Sequence, residues 1–74
     1  MRDILAERLK QCRKDKELSQ KDVATYCDMT EKAYQNYELM TRVPKLDKLI
    51  KIADFYNVSL DYLVGRTDKK QVNK

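Results

Sequence analysis

Two helix-start signals stand eleven residues apart, at Ser19 and Thr30. Ser19 is followed three residues later by Asp22, a shortened version of the capping-box partner. Thr30 is followed directly by Glu31, an acid placed where the helix dipole favours one. The helix that Ser19 opens cannot run far past Cys27. Asp28 tolerates the left-handed conformation and can close a tight turn. Only Asp28, Met29 and Thr30 then lie between the two short helices. So short a turn between helices is a helix-turn-helix arrangement.

The flanking segments are also helical in pattern. Arg2–Lys16 places Leu5, Leu9 and Cys12 on one face, and Glu17-Leu18 links it to Ser19. Met40–Val43 reads as an irregular loop closed by Pro44, a residue suited to a helix entry. In Lys45–Tyr56 the residues Leu46, Leu49, Ile52, Ala53 and Tyr56 share one broad face. Asn57 is a helix stop, Ser59 caps a last short helix over Leu60–Val64, and Gly65 ends it. One Gly, one Pro and few β-branched residues favour helix over sheet. The expected fold is all-α, with five helices in one small domain over residues 1–65. Residues 66–74 read as a basic, solvated and mobile tail.

At 74 residues there is no expected room for a second, ligand-sensing domain, and no small-molecule ligand is evident. The longest apolar runs, Ile4–Ala6 and Tyr62–Val64, span three residues each. That pattern offers no transmembrane helix and no secretory signal, so the expected location is the cytoplasm. Cys12 and Cys27 fall on apolar faces without metal-ligand spacing, and the chain has no His. They read as buried, reduced thiols, with no metal and no cofactor expected. With no His, no glycine-rich phosphate loop and no activated nucleophile, an enzyme is not expected.

The net charge is +4, of which the segment Arg66–Lys74 supplies +3. Charge therefore does not establish nucleic-acid binding by itself; position has to. On the helix Glu31–Glu38, at about 100° per residue, Glu31, Lys32, Gln35 and Asn36 share one side. Ala33, Tyr34 and Tyr37 share the other. Asn and Gln can pair with adenine in a major groove, and Lys can donate to guanine. A polar face of this kind is equally what any solvated helix shows.

The longer pattern carries more. "LSQKDVATYCDMT", "AYQNYE" and "TRVPKLDKLIKIADFYNVSLDYLVG", with Arg13 upstream, resemble the lambda-repressor/Cro-type helix-turn-helix family, also called the XRE family, over roughly Leu5–Gly65. The resemblance implies a compact repressor-like domain in which Glu31, Lys32 and Asn36 face base edges, with Gln35 a base reader at the margin and Thr30, also at the margin, a backbone contact. It implies a DNA-backbone contact from Gln20, which a polar helix N-terminus also favours, with Lys21 beside it. Thr41, Arg42 and Lys45 occupy the region from which family members contact phosphates. An Arg at the end of the first helix pairs in the family with a Glu in the third, here Arg13 and Glu38. Two departures stand out: the family usually has Gly where this chain has Asp28 and Met40, so the exit from the third helix is expected to be set differently. The function so implied is a sequence-specific regulator of transcription, a repressor, binding double-stranded DNA as a homodimer. The alternative is an antitoxin- or antirepressor-like protein-interaction module on the same fold.

Overall fold

The computed structural model describes residues 2–70, and the expectation of a solvated tail beyond Lys70 lies outside them. Five helices follow in order: α1 (Arg2–Asp15), α2 (Gln20–Tyr26), α3 (Glu31–Leu39), α4 (Leu46–Tyr56) and α5 (Leu60–Leu63). There is no strand among the described residues.

The starts are capped as the hydroxyl residues dictate. Ser19 Oγ accepts from the Asp22 amide at 3.0 Å, while the Asp22 carboxylate accepts from the Ser19 amide at 3.0 Å. This reciprocal pair satisfies two donors that a helix start otherwise leaves open. Thr30 and Ser59 cap α3 and α5 through the Ala33 and Tyr62 amides. α4 has no side-chain cap; Lys45 holds that position, and Pro44 is buried one residue before it.

All five helices end in one way. The residue after each last turn has positive φ: Glu17 (56°), Asp28 (57°), Met40 (60°), Asn57 (56°) and Gly65 (85°). The amide that follows each of them reaches back to the carbonyl five residues earlier: Leu18 to Arg13, Met29 to Ala24, Thr41 to Asn36, Val58 to Ala53 and Arg66 to Asp61. This is the Schellman arrangement, usually built on glycine. Here only Gly65 is glycine, and a Cβ there would also lie 2.9 Å from Ile4 Cγ2. Met40 thus adopts the glycine conformation despite its side chain, and the exit from α3 is a standard one, contrary to expectation.

The helices enclose Leu5, Leu9, Val23, Cys27, Tyr34, Ile52 and Leu63, all fully buried. α3 packs against both α1 and α2, and α5 closes the bundle against α1 and α4. Cys12 and Cys27 are buried free thiols, and burial raises the pKa of each. Leu46 departs from its expected place. It is 64% exposed, because it opens α4 beyond the reach of the neighbouring helices.

The segment after Gly65 is tied down as far as Lys70. Arg8 donates to the Tyr62 and Thr67 carbonyls and pairs with Asp68 at 2.9 Å, its guanidinium lying over the Tyr62 ring. The Ser59 amide donates to the Lys70 carbonyl at 2.9 Å, and Lys70 Nζ lies 3.4 Å from Asp15. The side chains of Arg66 and Asp68–Lys70 are exposed, as a solvated tail requires, but the backbone is held. Arg8 is half-buried under this strap, and its partners lie too far along the chain for a sequence pattern to show them.

Candidate nucleic-acid interface

α3 has two unlike sides. Tyr34 and Glu38 are buried, and Ala33 and Tyr37 are half-buried. Glu31, Lys32 and Gln35 are exposed and Asn36 is half-buried on the opposite side. The four candidate base-reading residues are therefore brought together on one surface. Leu39 belongs to that surface too. α3 runs one residue beyond Glu38, and the helical count places Leu39 about 80° round from Glu31, between Gln35 and Lys32. Counting one residue further along the sequence reveals it.

The inner side of α3 is held by charge. Arg13 Nε donates to Glu38 Oε2 at 2.8 Å and its Nη2 donates to Oε1 at 3.1 Å, a two-pronged contact between α1 and α3. A third Arg13 donor meets the Leu18 carbonyl at 3.1 Å. Gln20 Nε2 donates to Glu38 Oε1 at 3.2 Å, which brings in the start of α2. Glu38 is 2% exposed and is the one buried charged group among the described residues. Desolvation opposes its ionisation, but hydrogen bonds from Arg13, Tyr34 and Gln20 prevail and hold its carboxyl below the usual range. The same contact raises the Arg13 pKa, so both partners favour the ionised pair. Beneath it the Tyr34 and Tyr56 hydroxyls meet at 2.5 Å. Burial drives both phenols well above their ordinary pKa.

The candidate backbone contacts are placed less uniformly. Lys21, Thr30, Arg42 and Lys45 are exposed. Gln20 is half-buried with one amide donor given to Glu38, leaving the other for an outside partner. Thr30 Oγ1 accepts from Ala33, so its own proton remains to be given. Thr41 is already used: its hydroxyl donates to the Asn36 carbonyl at 3.3 Å. That carbonyl also accepts the Thr41 amide at 3.1 Å and the Arg42 amide at 3.4 Å. The loop is thus anchored on the backbone of Asn36, a link that side-chain patterns in the sequence do not announce.

The sequence that builds this site has counterparts among known proteins. The Helix-turn-helix family model matches residues 9–63. The chain belongs to the XRE-type helix-turn-helix family. It is 43% identical over 68 residues to the HTH-type transcriptional regulator YqaE of Bacillus subtilis (strain 168), covering 90% of this chain and 59% of that protein. Against YobD of the same organism, also named an HTH-type transcriptional regulator, it is 39% identical over 65 residues, covering 88% and 58%. Against the HTH-type transcriptional regulator ImmR, again from that organism, it is 36% identical over 70 residues, covering 95% and 55%. The chain thus spans a little under three fifths of the length of these relatives. No solved structure matches it.

Within this helix-turn-helix family the matched span runs from Leu9 to Leu63 and so contains α2, α3 and the Arg13–Glu38 contact. It is a family of DNA-binding domains rather than of enzymes. No helix among the described residues is long and apolar enough to cross a membrane.

Proposed function

We propose that this protein is a sequence-specific DNA-binding regulator of transcription, a repressor, that lays α3 in the major groove. One observation carries the reading: α3 is pinned on its inner side by the Arg13–Glu38 contact, and turns a separate, polar side outward. Glu31, Lys32, Gln35 and Asn36 read bases. Glu31 can accept from cytosine N4, Lys32 can donate to guanine, and Gln35 and Asn36 can pair with adenine. Gln20, Lys21, Thr30, Arg42 and Lys45 hold the phosphates, with Thr41 contributing mainly by fixing the loop.

In this reading the protein works in the cytoplasm and binds as a homodimer on two-fold operators, with half-sites about one helical turn apart. The surface for pairing in this reading is the side of α4 and α5 where exposed Ile50 and half-buried Leu60 line one groove, with exposed Leu46 one turn before Ile50. The relatives are named as transcriptional regulators, which favours DNA over a partner protein as the ligand of α3.

The test is selection of bound sites from a random DNA pool. A recovered motif with two-fold symmetry and the expected spacing supports the whole reading. A single half-site supports base reading without the dimer. An unselective pool removes sequence-specific recognition.

A further inference from the structure

Leu39 is anomalous on the outward side of α3. Its neighbours there, Glu31, Lys32, Gln35 and Asn36, are all polar. Leu39 is 60% exposed and is not among the apolar residues packed on the core. Nor is it there to finish the helix. The turn after it is closed by backbone bonds from Met40 to Tyr37 and from Thr41 to Asn36. A large aliphatic group left in water gains on binding only if it meets another apolar group. Along a major-groove floor the one apolar group on the bases is the C5-methyl of thymine.

We infer that Leu39 is a specificity-determining residue that packs on a thymine methyl at the end of the half-site read by Gln35 and Asn36. The inference rests on the DNA-reading function proposed above. Continuity is its argument: Leu39 is one turn beyond Gln35 and Asn36 on a side that carries no other large apolar group. Asn36 also fixes the following loop through its carbonyl, so the backbone of Leu39, between them, is held in place on that face. Such a contact adds an apolar partner for the methyl beside groups that read bases by hydrogen bonding.

Deoxyuridine in place of thymine removes that methyl and nothing else. Each thymine of the selected operator is replaced in turn, and affinity is measured for the wild type, Leu39→Ala and Asn36→Ala at one salt concentration. At one thymine, the wild type is expected to lose about fourfold, the worth of one buried methyl. Leu39→Ala should be insensitive to the same replacement, while Asn36→Ala should keep the wild-type response. Repeating the selection with Leu39→Gln should abolish the thymine preference at that position. If Leu39→Ala responds to every replacement as the wild type does, the inference is overturned. It is equally overturned if Leu39→Ala instead weakens self-association in sedimentation, because the side chain then serves a protein contact. Asn36→Ala separates the two levels of argument. If it weakens operator and scrambled DNA equally, base reading by α3 fails as a whole. If it loses the operator selectively while Leu39→Ala shows no coupling to any methyl, the role of Leu39 alone fails.

Discussion

The Tyr34 and Tyr56 hydroxyls meet at 2.5 Å inside the core and so join α3 to α4 by a bond neither helix could make alone. Both phenols are buried, and the Tyr56 hydroxyl has no side-chain partner other than Tyr34 among the described residues. Tyr34→Phe is expected to destabilise the fold by about 1–3 kcal/mol, because it leaves the Tyr56 hydroxyl short of a partner. Adding Tyr56→Phe should recover part of the loss, since two apolar rings of the same shape need no partner. Chemical denaturation of the two single variants and the double one measures this. Equal, additive losses would show that the hydroxyls do not depend on each other.

Removing Glu38 should cost more. Arg13 would lose its two-pronged partner, and breaking a buried pair costs about 3–5 kcal/mol. Glu38→Ala is expected near the lower end, because the Arg13 side chain is 18% exposed and can turn toward water. The combination of Arg13→Met with Glu38→Leu should restore much of it. An unchanged melting temperature in Glu38→Ala would place the holding force for α3 elsewhere.

The same carboxylate gives an acid limb to stability. Its pKa is lowered in the fold, so its contribution is complete above the unfolded value, about 4.3, and drains away as pH falls through the folded value. Stability measured from neutral pH downward should fall more gently below about pH 4.3 in Glu38→Gln than in the wild type. Parallel curves would mean that Glu38 titrates alike in both states.

Base reading and backbone holding separate by comparison. Asn36→Ala should cost about 1–3 kcal/mol on the selected operator and little on a scrambled duplex. Gln20→Ala should weaken both by a smaller and similar amount, since phosphates carry no sequence information. Its effect also includes the lost bond to Glu38, so folding stability must be measured alongside. Affinity for either duplex should fall steeply with salt, by a logarithmic slope of about −0.9 per phosphate contact.

Glu17 offers a stability test away from the interface. It is exposed, has φ of 56°, and takes part in no side-chain hydrogen bond or ion pair among the described residues. Glu17→Gly should stabilise the protein by about 0.5–1 kcal/mol, relief of left-handed strain outweighing the added freedom of the unfolded chain. For a domain of this size that is a rise of about 2–8 °C in melting temperature. Met40→Gly should gain less, because Met40 also packs against the core.

Most of the fold was legible because it is written in local signals. Hydroxyl residues at Ser19, Thr30 and Ser59 mark helix starts whatever lies around them. The left-handed turn at Asp28 and the stop at Asn57 follow from side chains that tolerate positive φ. Glu17 and Met40 carry no such mark; the surrounding bundle imposes the conformation on them. Leu46 misled because periodicity gives a direction around a helix but not how far the neighbours extend along it. Arg8 and the strap from Arg66 to Lys70 depend on partners some 54 to 60 residues away in the chain. At the interface, the exposed side of α3 was readable by angle, while the commitments of Gln20 and Thr41 to Glu38 and Asn36 exist only in three dimensions.

The five identical helix endings bear on how the protein moves. Amide protons just past a helix commonly exchange with solvent within the first stages of labelling, because loops open easily. Here those of Leu18, Met29, Thr41, Val58 and Arg66 are each locked onto a carbonyl of the preceding helix. These turns are thus built as stiff elbows rather than slack joints, and the amides of Met29 and Thr41 are expected to exchange slowly. If α3 binds DNA as proposed, little ordering entropy is left to lose in the turns on either side of it.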